Sequence, residues 1–269
     1  MSALRSFRSE LIKLRTVRST WLLALVMLLY VGVSAGGFAA IAGAASDQQN
    51  SPFAAGGIDV APLVYSLATS VGYVFLVLVG ALAVTTEFRF QTLTPTLLAT
   101  PRRASVLVGK LAAGVVVGIV FALVGLVATV GIGGGLLAVF GIDTELGDGD
   151  TWALLGRIVL AMVLWSLIGV GLGTLLPNQV VVIVVVLAFT QFIEPILRVA
   201  SAFADWTAEI GRFLPGAAGD ALVGSSLFTS ISGGAADPLE QWQGGLVLLG
   251  IAAVLTIAGS LTTWRRDVT

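Results

Sequence analysis

The sequence contains no cysteine and no histidine. Disulfide frameworks, thiolate or imidazole metal sites, and every catalytic triad or dyad built on either residue are thereby excluded. Charge is scarce as well. Asp, Glu, Lys and Arg make up 11% of the chain, and 14 cations against 15 anions leave a net charge of −1, which gives nucleic acid nothing to hold. No phosphate loop of the form G-x-x-x-x-G-K followed by Ser or Thr occurs, so the chain does not bind ATP in that way. Carboxylates within the apolar runs, the usual carriers of coupling charge in gradient-driven transporters, are nearly missing. What is abundant is apolar surface: 57% of residues are hydrophobic and the mean hydropathy is +1.01, far from the composition of a soluble domain.

Six apolar runs are long enough to cross roughly 30 Å of hydrocarbon at about 1.5 Å per residue. They read as residues 21–42, 62–84, 106–132, 152–176, 180–197 and 244–263. The expected fold is an all-α polytopic membrane protein, one domain of six transmembrane helices, with no internal repeat and no loop able to hold its own core. The N-terminal segment, the stretch between the second and third runs, and the C-terminal tail hold eleven of the fourteen cations; only Arg157, Arg198 and Arg212 fall on the other side. That asymmetry predicts cytoplasmic N- and C-termini in the plasma membrane. A basic start before an apolar core also fits a signal peptide, but the run from Trp21 to Ala42 exceeds the usual core length and reads as a retained span.

Residues 3–18 place Leu4, Phe7, Leu11 and Leu14 at three- and four-residue spacings while the cations point elsewhere. This predicts an amphipathic interfacial helix on the inner membrane surface, with Arg8, Lys13, Arg15 and Arg18 near anionic lipid. A plain charged flank before a span has the same composition. Residues 201–241 keep Phe203, Trp206, Ile210, Phe213 and Leu214 at helical spacings, which predicts short outer helices, either dipping into the leaflet against protein or lying on the headgroups. Gly32/Gly36, Gly114/Gly118, Gly131/Gly135 and Gly169/Gly173 are GxxxG pairs that permit close helix approach, within one chain or between two.

Residues 85–105 form a compact polar and basic insert between two spans, a cytoplasmic coupling region that a motor could grip. Its residues run Glu87-Phe88-Arg89, Thr92-Leu93, Leu97-Leu98-Ala99-Thr100-Pro101-Arg102-Arg103 and then Gly109-Lys110-Leu111. In this pattern the chain resembles the membrane subunit of type-2 ATP-binding-cassette (ABC) transporters, where an acidic residue closing the second span leads into a short coupling helix. The N-terminal Glu10-Leu11-Ile12-Lys13-Leu14-Arg15-Thr16 and Arg18-Ser19-Thr20-Trp21 extend the resemblance. Gln91 departs from it, since many relatives carry glycine before the threonine. The resemblance implies an ATPase-coupling interface at Glu87, Phe88, Arg89, Phe90, Pro101, Arg102 and Arg103, and a re-entrant outer hairpin before the last span. It also implies export of a hydrophobic or amphipathic molecule such as a drug, lipid or glycolipid.

Energy then has to come from a separate ABC ATPase subunit, in two copies that carry ATP and Mg, with no cofactor on this chain itself. A second permease copy or a sibling permease completes the pathway. Arg157 and Glu194 read as interfacial residues; the sharper alternative pairs Arg157 or Arg198 with Glu194 as an outer gate. Arg102 and Arg103 also serve as plain topogenic charge. From another class comes a non-transporting membrane scaffold or sensor that recruits a cytoplasmic partner through the basic face. A membrane-embedded enzyme has only a pair such as Ser105 and Lys110 to work with, without a supporting constellation.

Overall fold

Backbone in hydrocarbon must satisfy its own N–H and C=O groups, and a single run does so only as a helix. The computed structural model describes residues 3–46, 53, 58–92, 103–200, 205–226 and 239–262, and every regular element among them is helical. Helix α1 (Ala3–Thr16) leads into α2 (Arg18–Ser46), and the corner is tied by the Trp21 indole, which donates to the Arg15 carbonyl at 2.9 Å. The second span is two helices, α3 (Val60–Ser70) and α4 (Tyr73–Arg89), followed by α5 (Arg103–Val139), α6 (Gly149–Leu175) and α7 (Gln179–Ala200). Short helices α8 (Asp205–Gly211) and α9 (Pro215–Val223) precede the last span, α10 (Gln241–Leu261). Among the described residues six helices are thus long and apolar enough to cross a membrane, and the chain is a multi-pass membrane protein.

Several boundaries depart from the apolar runs for local reasons. The second run is interrupted at Val71-Gly72, where a Cβ on Gly72 would lie 2.2 Å from the Ala68 carbonyl oxygen. Helix α5 runs on to Val139 through a π-helical stretch, Val127–Gly134. Helix α10 begins at Gln241, ahead of its apolar run, because Glu240 and Gln243 form a capping box. Asn178 starts α7 by accepting from the amides of Val180 and Val181 at 3.0 and 3.3 Å, which makes the link from α6 a tight turn.

Helix α6 is the centre of the bundle, flanked by α4, α5 and α10. Its crossing with α4 is backbone on backbone: a Cβ on Gly169 would meet the Val77 oxygen at 2.3 Å, and one on Gly173 the Ala81 oxygen at 2.6 Å. The Gly32/Gly36 and Gly114/Gly118 pairs likewise face α5 and α6 within the chain, whereas Gly131 and Gly135 face open space. Outward, α2 and α7 present exposed apolar side chains such as Leu25, Leu29, Val184 and Phe192, the face expected toward lipid.

The packing places the ends of the helices in two sets. At one end, Arg89 of α4 donates to Gln179 of α7 at 3.1 Å and α1 packs on the start of α5. At the far end, the Tyr65 hydroxyl donates to the Thr144 carbonyl at 2.8 Å, beside the start of α6.

Candidate functional site

The first end carries a buried four-residue charge network. Lys110 of α5 is 2% exposed, and its ammonium donates to Glu10 of α1 at 3.2 Å, to Glu87 of α4 at 2.9 Å and to the Ala83 carbonyl at 3.2 Å. Lys13 of α1 donates to Glu10 at 2.9 Å and to the same Glu87 oxygen at 2.5 Å. Among the described residues, two cations and two anions make the cluster neutral, which is what allows burial at all. Burial works against the Lys13 charge, yet the Glu10 and Glu87 carboxylates outweigh it and raise the pKa above the usual lysine range.

Glu87, which the resemblance puts in the ATPase-coupling interface, is 4% exposed, held inward by two ammonium groups. Lys13, expected among lipid headgroups, is half-buried in the network, while Arg8, Arg15 and Arg18 remain exposed. Helix α1 therefore docks on protein through Ser6, Glu10 and Lys13, not only through its apolar stripe. The approach is close: a Cβ on Gly109 of α5 would lie 2.6 Å from the Ser6 hydroxyl. Lys110 has its ammonium committed to these carboxylates and a carbonyl, which removes it as the base of a Ser105 pair.

Beyond the network, Arg89 and Phe90 are exposed, with the Arg89 guanidinium over the Phe90 ring at 5.4 Å, and Phe88 and Arg103 are half-buried. Pro101 and Arg102 lie outside the described residues, as do the tail cations Arg265 and Arg266. Between α1, α2 and α4 an apolar cleft of about 300 Å³, walled by Leu14, Leu23, Val79 and Leu82, opens beside Lys13 and Glu87.

The far end carries a second cluster. Glu194 of α7 is 2% exposed; one of its oxygens accepts from the Gly216 amide at 2.5 Å and from Arg198 at 3.3 and 3.4 Å. Arg198 turns its other nitrogen to Asp220 of α9 at 2.6 Å. A Cβ on Gly216 would sit 2.2 Å from the Glu194 oxygen, so a side chain there would displace the carboxylate from this arrangement. Arg198 and Glu194 pair at i,i+4 along one helix, a spacing legible in the sequence. Arg157 does not join them. Its guanidinium donates to the Val223 carbonyl at 3.0 Å, capping the C-terminal end of α9, where carbonyls lack helical partners.

A neighbouring cavity of about 800 Å³ holds Asp59, Glu145, Asp148, Asp150 and Arg157. A hydrogen bond between the Glu145 and Asp59 carboxyls, reinforced by burial and by the charges of Asp59, Asp143 and Asp148, pushes the Glu145 pKa up to about 7.

Comparison with protein families matches residues 6–202 to the model described as ABC-2 family transporter protein. No curated protein matches the chain.

Proposed function

From the premise that this chain belongs to the ABC-2 family of transporter proteins and is a membrane-spanning permease, we propose that a separate ATPase subunit drives it from the end that carries the Glu10–Lys13–Glu87–Lys110 network. Two such subunits carry ATP and Mg, that end faces the cytoplasm, and the membrane is the plasma membrane. The cargo is a hydrophobic or amphipathic molecule moved outward, and a second permease copy or a sibling permease supplies the other half of the pathway.

The observation that carries the reading is the network itself, because it ties the two helices that flank residues 93–102 in the sequence, α4 and α5, to α1. A buried, neutral set of ion pairs across α1, α4 and α5 makes them move together when one is pushed. The exposed Arg89 and Phe90 offer the partner a cationic and aromatic grip at the same end. The cleft of about 300 Å³ under α1 leaves room for tilt. Displacement of α4 passes to α6 through their glycine-mediated backbone contact, which shifts the balance between inward- and outward-opening arrangements.

Purification of the chain with the ATPase encoded beside it tests this. Co-purification is expected, together with ATP hydrolysis that changes at least several-fold when Phe90→Ala or Arg89→Ala is introduced. A chain that does not associate, or hydrolysis indifferent to both substitutions, contradicts the reading. Transport into vesicles separates it from a scaffold that recruits a partner and moves nothing.

A further inference from the structure

We infer that the cavity at the far end of the bundle is a binding site for an organic ammonium ion, and that this permease's cargo carries one. The cargo assignment rests on the permease reading; the site itself does not.

The cavity has a volume of about 380 Å³ and is lined by α2, α3, α4, α6, α7 and α9. Glu194 stands on its wall. One Glu194 oxygen is saturated by the Gly216 amide and Arg198, while the other, buried, has no hydrogen-bond partner among the described residues. The Ser70 hydroxyl oxygen, on the same cavity, is also buried and unpartnered among them. A buried acceptor left unmade costs on the order of 1–3 kcal/mol, more when charged, so two in one cavity mark groups that await a donor.

Charge says what kind of donor. Among the described residues Glu194 and Asp220 pair with a single cation, Arg198, so the two carboxyl groups outnumber the cations that face them by one. Arg157 is turned to the Val223 carbonyl in the neighbouring cavity. Residues 201–204 and 227–238 contain no lysine or arginine that could make up the difference. The aromatic wall fits the same ligand. Tyr73 and Trp165 pack with ring centroids 4.5 Å apart and both line the cavity, an aromatic pair of the residue types that attract an ammonium and accept its apolar body. A volume of this size suits a small amphiphile and lies within the range of ligand pockets.

The site is far from the drive. Glu194 stands fifteen residues along α7 from Gln179, roughly 22 Å at about 1.5 Å per residue, so ligand and ATPase act at opposite ends of the same helices.

The test uses the full chain in lipid nanodiscs and phenethylammonium as probe, with 3-phenylpropan-1-ol and 3-phenylpropionate as neutral and anionic counterparts. Saturable binding of the ammonium above empty nanodiscs is expected, at least tenfold weaker in Glu194→Gln and severalfold weaker in Ser70→Ala, with the other two probes not bound at the same concentration. Should Glu194→Gln fail to fold, Ser70→Ala, which lies outside the ion pairs, decides by the same comparison. Absence of saturable binding, or equal binding of the alcohol, or undiminished binding by the folded Glu194→Gln variant, overturns the site. In the assembly with the ATPase, the ammonium and not the alcohol is expected to change ATP hydrolysis. Binding without that change overturns the cargo assignment alone, and hydrolysis indifferent to Phe90→Ala overturns the permease drive instead.

Discussion

Lys110 shows what a single residue contributes here. Its ammonium is enclosed with Glu10 and Glu87, so Lys110→Met leaves two carboxylates with only Lys13, which is itself partly exposed. Breaking a buried pair by removing one member costs about 3–5 kcal/mol, whereas removing both can be nearly neutral. Thermal unfolding in detergent is expected to fall sharply for Lys110→Met and to recover in the Lys110→Met, Glu10→Gln double variant; additive losses would show that the two groups are not coupled. Glu145 gives a prediction with the opposite dependence on charge. Its pKa, raised to about 7 first by the hydrogen bond to Asp59, means the folded form holds a proton that the unfolded chain releases near pH 4.3. The contact therefore stabilises fully below about pH 4 and weakens as pH rises through about 7. Hydrogen exchange of residues 142–150 is expected to speed up between pH 6 and 8 beyond its intrinsic rate, and the Glu145→Gln variant is expected to lack that excess.

At the scale of elements, the six spans were legible because each is an uninterrupted apolar run, and the tight turn between α6 and α7 because Pro177-Asn178 announces it. The break at Val71-Gly72 was hidden inside a run of even hydropathy. The continuation of α5 was obscured by the glycine-rich Val127–Gly134. GxxxG spacing said that glycines would meet something, but not what. Gly169 meets the α4 backbone and Gly131 meets nothing within 4 Å. Gly169→Ala is thus expected to destabilise by about 1–3 kcal/mol through overpacking, and Gly131→Ala to cause no loss, as read by thermal unfolding. Equal effects would place the α4–α6 crossing elsewhere.

Over the whole molecule, the chain is a membrane-spanning transporter component whose two charged clusters sit at opposite ends of the helices. The sequence marked Glu87, Lys13, Glu194 and Arg198 individually. Their partners were harder to see: Glu10 and Lys110 are 100 residues apart, and Asp220 reaches Arg198 only because α9 folds back against α6 and α10. Arg157 looked equally suited to Glu194, until α9 presented it with a helix end instead. Long-range ion pairing is set by tertiary packing, and one-dimensional spacing carries no trace of it.

The claim that the network end is the driven, cytoplasmic end can be tested at Phe90, which is 66% exposed in a chain with no native cysteine. The Phe90→Cys variant is to be labelled with a membrane-impermeant maleimide, in inside-out vesicles and in intact cells, with and without the ATPase subunit. Labelling only in inside-out vesicles, suppressed when the ATPase is assembled, is expected. Labelling of intact cells, or labelling that the ATPase leaves unchanged, would contradict the account.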